Sequence, residues 1–182
     1  IELKSRLEKQ VLEFEMFNVE RTPCAPPSLL KQKKYDDNDV WQALENIFYK
    51  KCYLCETVQP LDLNVEHLKS HKGDKALKFS WGNLYFACAR CNNIKSTRYD
   101  DILDCCNPGE NVFESIKCLP PHSPRSSRLV VEALSQYDRV IKTCELLNEI
   151  YNNASSVNKK NFGSLFAQQG MGALCSAVKV YG

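Results

Sequence analysis

"FSWGNLYFACARCNNIKS", residues 79–96, decides how this chain is read. It holds the second of two C-x-x-C pairs, Cys88 and Cys91, and the first, Cys52 and Cys55, lies in "KCYLCE" at 51–56. A two-residue spacing lets both thiolates of a pair face one tetrahedral ion, and two such pairs complete a closed four-sulfur site. Soft thiolates select zinc over magnesium, and a closed site keeps no position for substrate. The spacing therefore predicts a structural zinc on Cys52, Cys55, Cys88 and Cys91 that pins residues 56–87 into a fixed loop. A redox pair and an iron–sulfur cluster are the alternatives. A disulfide oxidoreductase needs its C-x-x-C at the start of a helix in a thioredoxin-like βαβ unit, and nothing in the sequence supplies one.

The pinned loop carries chemistry. "NVEHLKSHKGD", 64–74, contains two of the chain's three histidines, His67 and His71, with Glu66 before the first. Asn83 closes the loop, and Asn92 directly follows Cys91. Residues 67–99 carry Lys69, Lys72, Lys75, Lys78, Arg90, Lys95 and Arg98 against Asp74, so seven minus one gives +6. Residues 101–120 carry Asp101, Asp104, Glu110 and Glu114 against Lys117, giving −3. A basic segment inside a chain of net charge +2 points to a polyanion meeting it there. A solvated lysine-rich loop is the plainer reading of the same charges.

With 182 residues the chain has room for one cored domain with helical additions, and its 43% apolar and 25% charged content is that of a globular protein. No apolar run approaches the roughly 18 residues that span a bilayer, and no secretory pattern opens the chain, so a cytoplasmic protein without membrane contact is expected. Ten cysteines could signal a secreted disulfide scaffold, but the length and the two C-x-x-C pairs argue for metal ligation. The other six, Cys24, Cys105, Cys106, Cys118, Cys144 and Cys175, are expected to be mostly buried free thiols.

Helical spacing of Leu3, Leu7, Val11, Phe14 and Phe17 predicts a helix over 2–18, broken by Pro23, Pro26 and Pro27. Val40, Trp41, Leu44, Ile47 and Phe48 predict a second helix behind Asp caps. Residues 52–67 read as a short hairpin region, with "LNVEH" alternating as a strand. A helix is expected near Asn83, Leu84 and Phe86, an exposed loop over 118–128 with His122 inside it, and a long helix over 129–152. The apolar tail, 162–182, is expected to pack on the body or a partner.

Taken together, "CYLC", "VEH" and "WGNLYFACARCNNIK" resemble the HNH endonuclease motif in its cysteine-flanked form. That family reads an acidic residue plus His, an Asn before Leu, a His or Asn after the second cysteine pair, then Lys. Here these are Glu66–His67, Asn83–Leu84, Cys91–Asn92 and Lys95, within residues 52–98. "EHLKSH" and "DILDCCNP", 101–108, extend the resemblance to the retron- and Septu-type anti-phage HNH nucleases, the PtuB group. The resemblance implies an α+β, mostly helical chain: an N-terminal helical region over 1–50, a zinc-clamped ββα-metal nuclease finger over 51–100 and a C-terminal helical region over 101–182. It implies His67 as general base, Asn83 as the residue tying the His67 loop to the finger, and Glu66 and Asn92 as ligands of a catalytic Mg²⁺ or Mn²⁺. Lys95, Arg90, Arg98 and Lys69 would contact the substrate backbone. Implied partners are DNA, with RNA as the alternative, and an ABC-type (PtuA-like) ATPase subunit. The family more often has Asp at position 66 and often His at 92. Successive strand residues face opposite ways, so Glu66 and His67 share one site only if the backbone bends. A non-catalytic zinc finger that binds nucleic acid or protein is the competing function, although it gives no reason for Glu66, His67, Asn83 and Asn92 to fall in register.

Overall fold

The computed structural model describes residues 18–119 and 128–152. The helix expected over 2–18, the loop around His122, Cys175 and the apolar tail lie outside them. Among the described residues the chain is α+β, with six α-helices and two two-stranded antiparallel sheets.

Pro26 and Pro27 fix φ for the short turn α1 (Pro27–Leu30), which leads to α2 (Asn38–Ile47). Val40, Leu44 and Ile47 recur at helical spacing on α2 and are all buried, as expected of an amphipathic helix. Each such side chain withdrawn from water contributes about 1.5–3 kcal/mol. Asp37 sits at the N-cap without a side-chain capping bond. Its neighbour Asp39 bonds the main chain and hydroxyl of Ser28 instead, tying α1 to α2.

The finger follows. Lys51 and Val58 pair as an isolated bridge, so the first cysteine pair stands on a tight knuckle rather than on a full hairpin. Strand β1 (Leu63–His67) pairs with β2 (Leu84–Cys88) in the register Leu63↔Cys88 to His67↔Leu84. Helix α4 (Ala89–Lys95) starts directly off β2, with the Cys88 thiol as its cap accepting from the Cys91 amide. The loop between the strands carries the single turn α3 (Lys75–Lys78), capped by Asp74, and a 3₁₀ turn over Trp81–Asn83.

The helix expected near Asn83, Leu84 and Phe86 is therefore a strand. All five residues of β2 are buried, so no polar face marks the two-residue period, and a short apolar run does not distinguish strand from buried helix.

The helix expected over 129–152 begins later. Val130–Ala133 form β4, paired with β3 (Ile116–Leu119), and the helix α6 spans Asp138–Asn152. Two consecutive β-branched valines favour the strand, and Ser135 to Tyr137 form the break before Asp138. A one-turn helix α5 (Val112–Ser115) precedes β3. Among the described residues one buried apolar cluster runs from Leu29 to Ile150, taking residues from all three expected regions. Of the five described cysteines outside the two pairs, only Cys144 is buried. Cys24 is exposed and Cys105, Cys106 and Cys118 are half-buried, so the expectation of mostly buried thiols is corrected.

Candidate functional site

Cys52 and Cys55 come from the knuckle, Cys88 from the end of β2 and Cys91 from the first turn of α4. All four are buried, and their sulfurs lie within 4.8 Å of one another. The knuckle is fixed by main-chain bonds from Glu56 N to Cys52 O (2.8 Å) and from Tyr53 N to Phe86 O (2.9 Å). Zinc–sulfur bonds of about 2.3 Å imply tetrahedral edges of roughly 3.8 Å. The Cys55–Cys88 sulfur separation of 3.9 Å fits that edge. Burial pushes the Cys52 thiol up, while hydrogen bonds from neighbouring cysteines hold Cys55 and Cys88 low. Four thiolates in so small a volume require a cation to ionise together, and the cluster is compatible with a structural zinc.

His67 ends β1 and is half-buried. Its Nε2 lies 3.0 Å from the Lys78 carbonyl oxygen. A carbonyl only accepts, so Nε2 carries the hydrogen, and Nδ1 of the neutral ring is the basic nitrogen. The ring also packs against Tyr35 (4.8 Å between centroids) and His71 (4.9 Å). Burial, opposed by the bond to Lys78, holds the His67 imidazole below its ordinary value of 6.5. A depressed pKa keeps the ring neutral at physiological pH, the state a general base requires.

Asn83 is buried and ties the loop to itself. Its Oδ1 accepts from Lys69 N (2.8 Å), and its Nδ2 donates to Lys69 O (2.9 Å) and Leu77 O (3.1 Å). Asp100 holds the next turn through Ser70 N and Lys72 Nζ. Although burial opposes it, those bonds keep the Asp100 carboxyl below its ordinary value. The loop thus leaves His67 with both flanks anchored, and Gly73, at φ +92°, makes the turn after His71. His71 is half-buried, and its Nδ1 accepts from Gly73 N.

Glu66 is placed differently from the expectation. It is buried, its Oε1 lies 2.8 Å from Lys95 Nζ, and its Oε2 accepts from the Tyr53 hydroxyl at 3.1 Å. The same ammonium donates to the His67 carbonyl oxygen at 3.0 Å. The hydrogen-bond and ring partners of the His67 imidazole differ from those of the Glu66 carboxylate, as the alternation of a strand dictates, and Lys95, a direct partner of the carboxylate, acts on the ring only through its charge. Burial, opposed by Lys95, pushes the Glu66 carboxyl above its ordinary value. Both Glu66 oxygens thus meet a protein donor, at the position where the resemblance implied a ligand for the catalytic cation.

Lys95 is corrected too. It is fully buried, so its ammonium reaches Glu66 and the His67 main chain, not a phosphate. Arg90 donates to the Ile150 carbonyl in the last turn of α6, which commits it to the fold. Arg98 is exposed and paired with Glu149, and Lys69 is exposed beside the loop. Asn92 is half-buried on α4. Tyr53, Tyr35 and Asp100 support the site without having been read from the sequence. Only Tyr53, inside the first C-x-x-C, carried a positional signal.

An open groove of about 530 Å³ lies behind the same loop, lined by Lys69, Lys72, Asn83, Asp100, Asp101 and Arg139 among others. Its two aspartates and the absence of His67 from its walls argue against its holding the scissile phosphate. Among the described residues no helix is long and apolar enough to cross a membrane. Comparison with protein-family models, curated proteins and solved structures finds no match to this chain.

Proposed function

We propose that the chain is a metal-dependent HNH-type endonuclease that hydrolyses phosphodiester bonds in DNA. The observation that carries this reading is the state of His67: its Nε2–H is fixed on the Lys78 carbonyl, its loop is clamped by Asn83, and its ring is held neutral by burial. In this reading Nδ1 takes a proton from water, the water oxygen bonds to phosphorus, and the leaving sugar oxygen departs and is protonated by solvent. A general base so placed is worth about 10²–10⁴-fold in rate. Lys69 offers a backbone contact from the exposed side of the loop. A hard divalent ion, Mg²⁺ or Mn²⁺, would neutralise charge at the phosphate. The ion pair with Lys95 makes Glu66 a poor ligand for it, leaving Asn92 as the remaining residue of the expected pair. The resemblance to anti-phage nucleases extends the proposal to an effector subunit acting with an ABC-type ATPase.

The same Glu66–Lys95 pair favours a second reading, a non-catalytic zinc finger that binds nucleic acid or protein. Zinc-loaded protein incubated with supercoiled DNA, single-stranded DNA and RNA, with and without Mg²⁺ or Mn²⁺, separates the two. Nicked plasmid that depends on the added ion supports the nuclease. Binding without cleavage, in the presence of the co-expressed ATPase, supports the finger.

A further inference from the structure

Among the described residues a second group of side chains of metal-ligating type lies outside the finger. The acceptor atoms of Asp104, Cys105 and Cys106 fall within 4.8 Å of one another, and all three residues are half-buried. Residues 105 and 106 sit in a turn, where adjacent side chains can converge as they do not in a strand.

The carboxylate is oriented by two donors, one of them outside the group. Asp104 Oδ1 accepts from the Tyr85 hydroxyl on β2 and from Cys106 N at 2.7 Å. Its main chain is held as well, with Asp104 N donating to Glu110 at 2.8 Å and Val19 N donating to Cys105 O at 2.7 Å. Hydrogen bonds of this kind fix the direction of ligating carboxylates in metal sites.

The charge also balances. Two thiolates and a carboxylate around a dication leave one net negative charge. The Arg21 guanidinium stands 3.5 Å from the Cys106 sulfur and supplies the compensating positive charge. Arg21 is fixed there by its own bonds to Trp81 O and Leu84 O, both at 2.9 Å, and by stacking 4.7 Å over the Tyr85 ring. Its place does not depend on the thiolate.

We propose that Asp104, Cys105 and Cys106 form a second site for a thiophilic divalent ion of the zinc class, with three protein ligands and one open position. Tetrahedral edges of roughly 3.8 Å are reached from the observed spacing by small side-chain rotations. The ion would staple the turn after Asp104 to β2 through Tyr85 and to the N-terminal segment through Arg21. Three half-buried ligands with one open position make it more exchangeable than the closed, buried four-cysteine cluster. The proposal stands whether or not the chain is a nuclease.

Metal content of the full, reduced chain, loaded with zinc and freed of excess, tests it. Wild type is expected to retain about two equivalents per chain and Cys105→Ser/Cys106→Ser about one. Cobalt substitution gives the four-cysteine cluster its own thiolate charge-transfer band, which reports an assembled finger in the variant. Wild type is alkylated with iodoacetamide in parallel and mapped by mass, so the answer does not depend on the variant folding. Zinc is expected to protect Cys105 and Cys106, and mild chelation to expose them before Cys52, Cys55, Cys88 and Cys91. About one equivalent in wild type, about two in the variant, or equal alkylation of Cys105 and Cys106 with and without zinc would overturn the assignment.

Discussion

Replacing Lys95 with Met tests how the finger holds its histidine. The ammonium is 1% exposed and joins the Glu66 carboxylate, 6% exposed, to the His67 main chain. Removing one member of a buried pair leaves the other charge uncompensated, at a cost of about 3–5 kcal/mol. Burial already pushes the Glu66 carboxyl up, so without Lys95 the residue would take a proton at higher pH or draw water into the core. The double variant Glu66→Gln/Lys95→Met removes both charges together and keeps an amide for Tyr53. It is expected to lose only about 1–2 kcal/mol, roughly 2–3 kcal/mol less than Lys95→Met alone. Denaturant unfolding at a fixed, saturating zinc concentration measures both, because bound metal itself contributes to stability. For a chain of this length each kcal/mol corresponds to roughly 2–4 °C in Tm. A Lys95→Met variant that loses less than about 1 kcal/mol, or a double variant that loses as much as Lys95→Met alone, would refute this reasoning.

Asn83→Asp keeps the shape of the clamp but sets a carboxylate against the Lys69 and Leu77 carbonyls in place of a donor. It is expected to cost about 1–3 kcal/mol by thermal unfolding and to lower cleavage further by loosening the His67 loop. The acid limb of the cleavage rate against pH is expected to inflect below 6.5, because His67 is held below that value and stays neutral further into acid. The depressed folded-state value also means that the unfolded chain binds the proton first, so the contribution of His67 to stability falls as pH drops from 6.5 through the folded value. An inflection above 6.5 would remove His67 from the role of base. Zinc removal by a strong chelator is expected to unfold the β1–β2 finger and abolish cleavage, seen as loss of native circular dichroism. A finger unchanged by metal loss would show that the cysteine cluster is held by packing alone.

Much of the finger was legible because spacing constrains it. The two cysteine pairs predicted one cluster, and the four sulfurs meet. The alternation in "LNVEH" predicted β1, while Asn83, expected to tie the His67 loop to the finger, bonds Lys69 and Leu77 within that loop. What the sequence hid was burial. β2 lost its strand period because both of its faces are covered, and Val130–Ala133 read as helix because the β3 partner that makes them a strand lies beyond a long connection. The charges misled for the same reason. Lys95 and Arg90 count as cations in any window, but folding turns one onto Glu66 and the other onto Ile150. Glu66 beside His67 looked like a shared site. The strand separates them, and only Tyr53 and Lys95 in place reveal what the carboxylate does.

The most direct test is cleavage of supercoiled plasmid by zinc-matched wild type and His67→Ala, each assayed with Mg²⁺ or Mn²⁺, alone and with the proposed ABC-type ATPase. Loss of the base is expected to slow nicking by about 10²-fold or more, with folding and zinc content unchanged. Equal nicking by the two proteins would contradict the assignment of His67 as the general base.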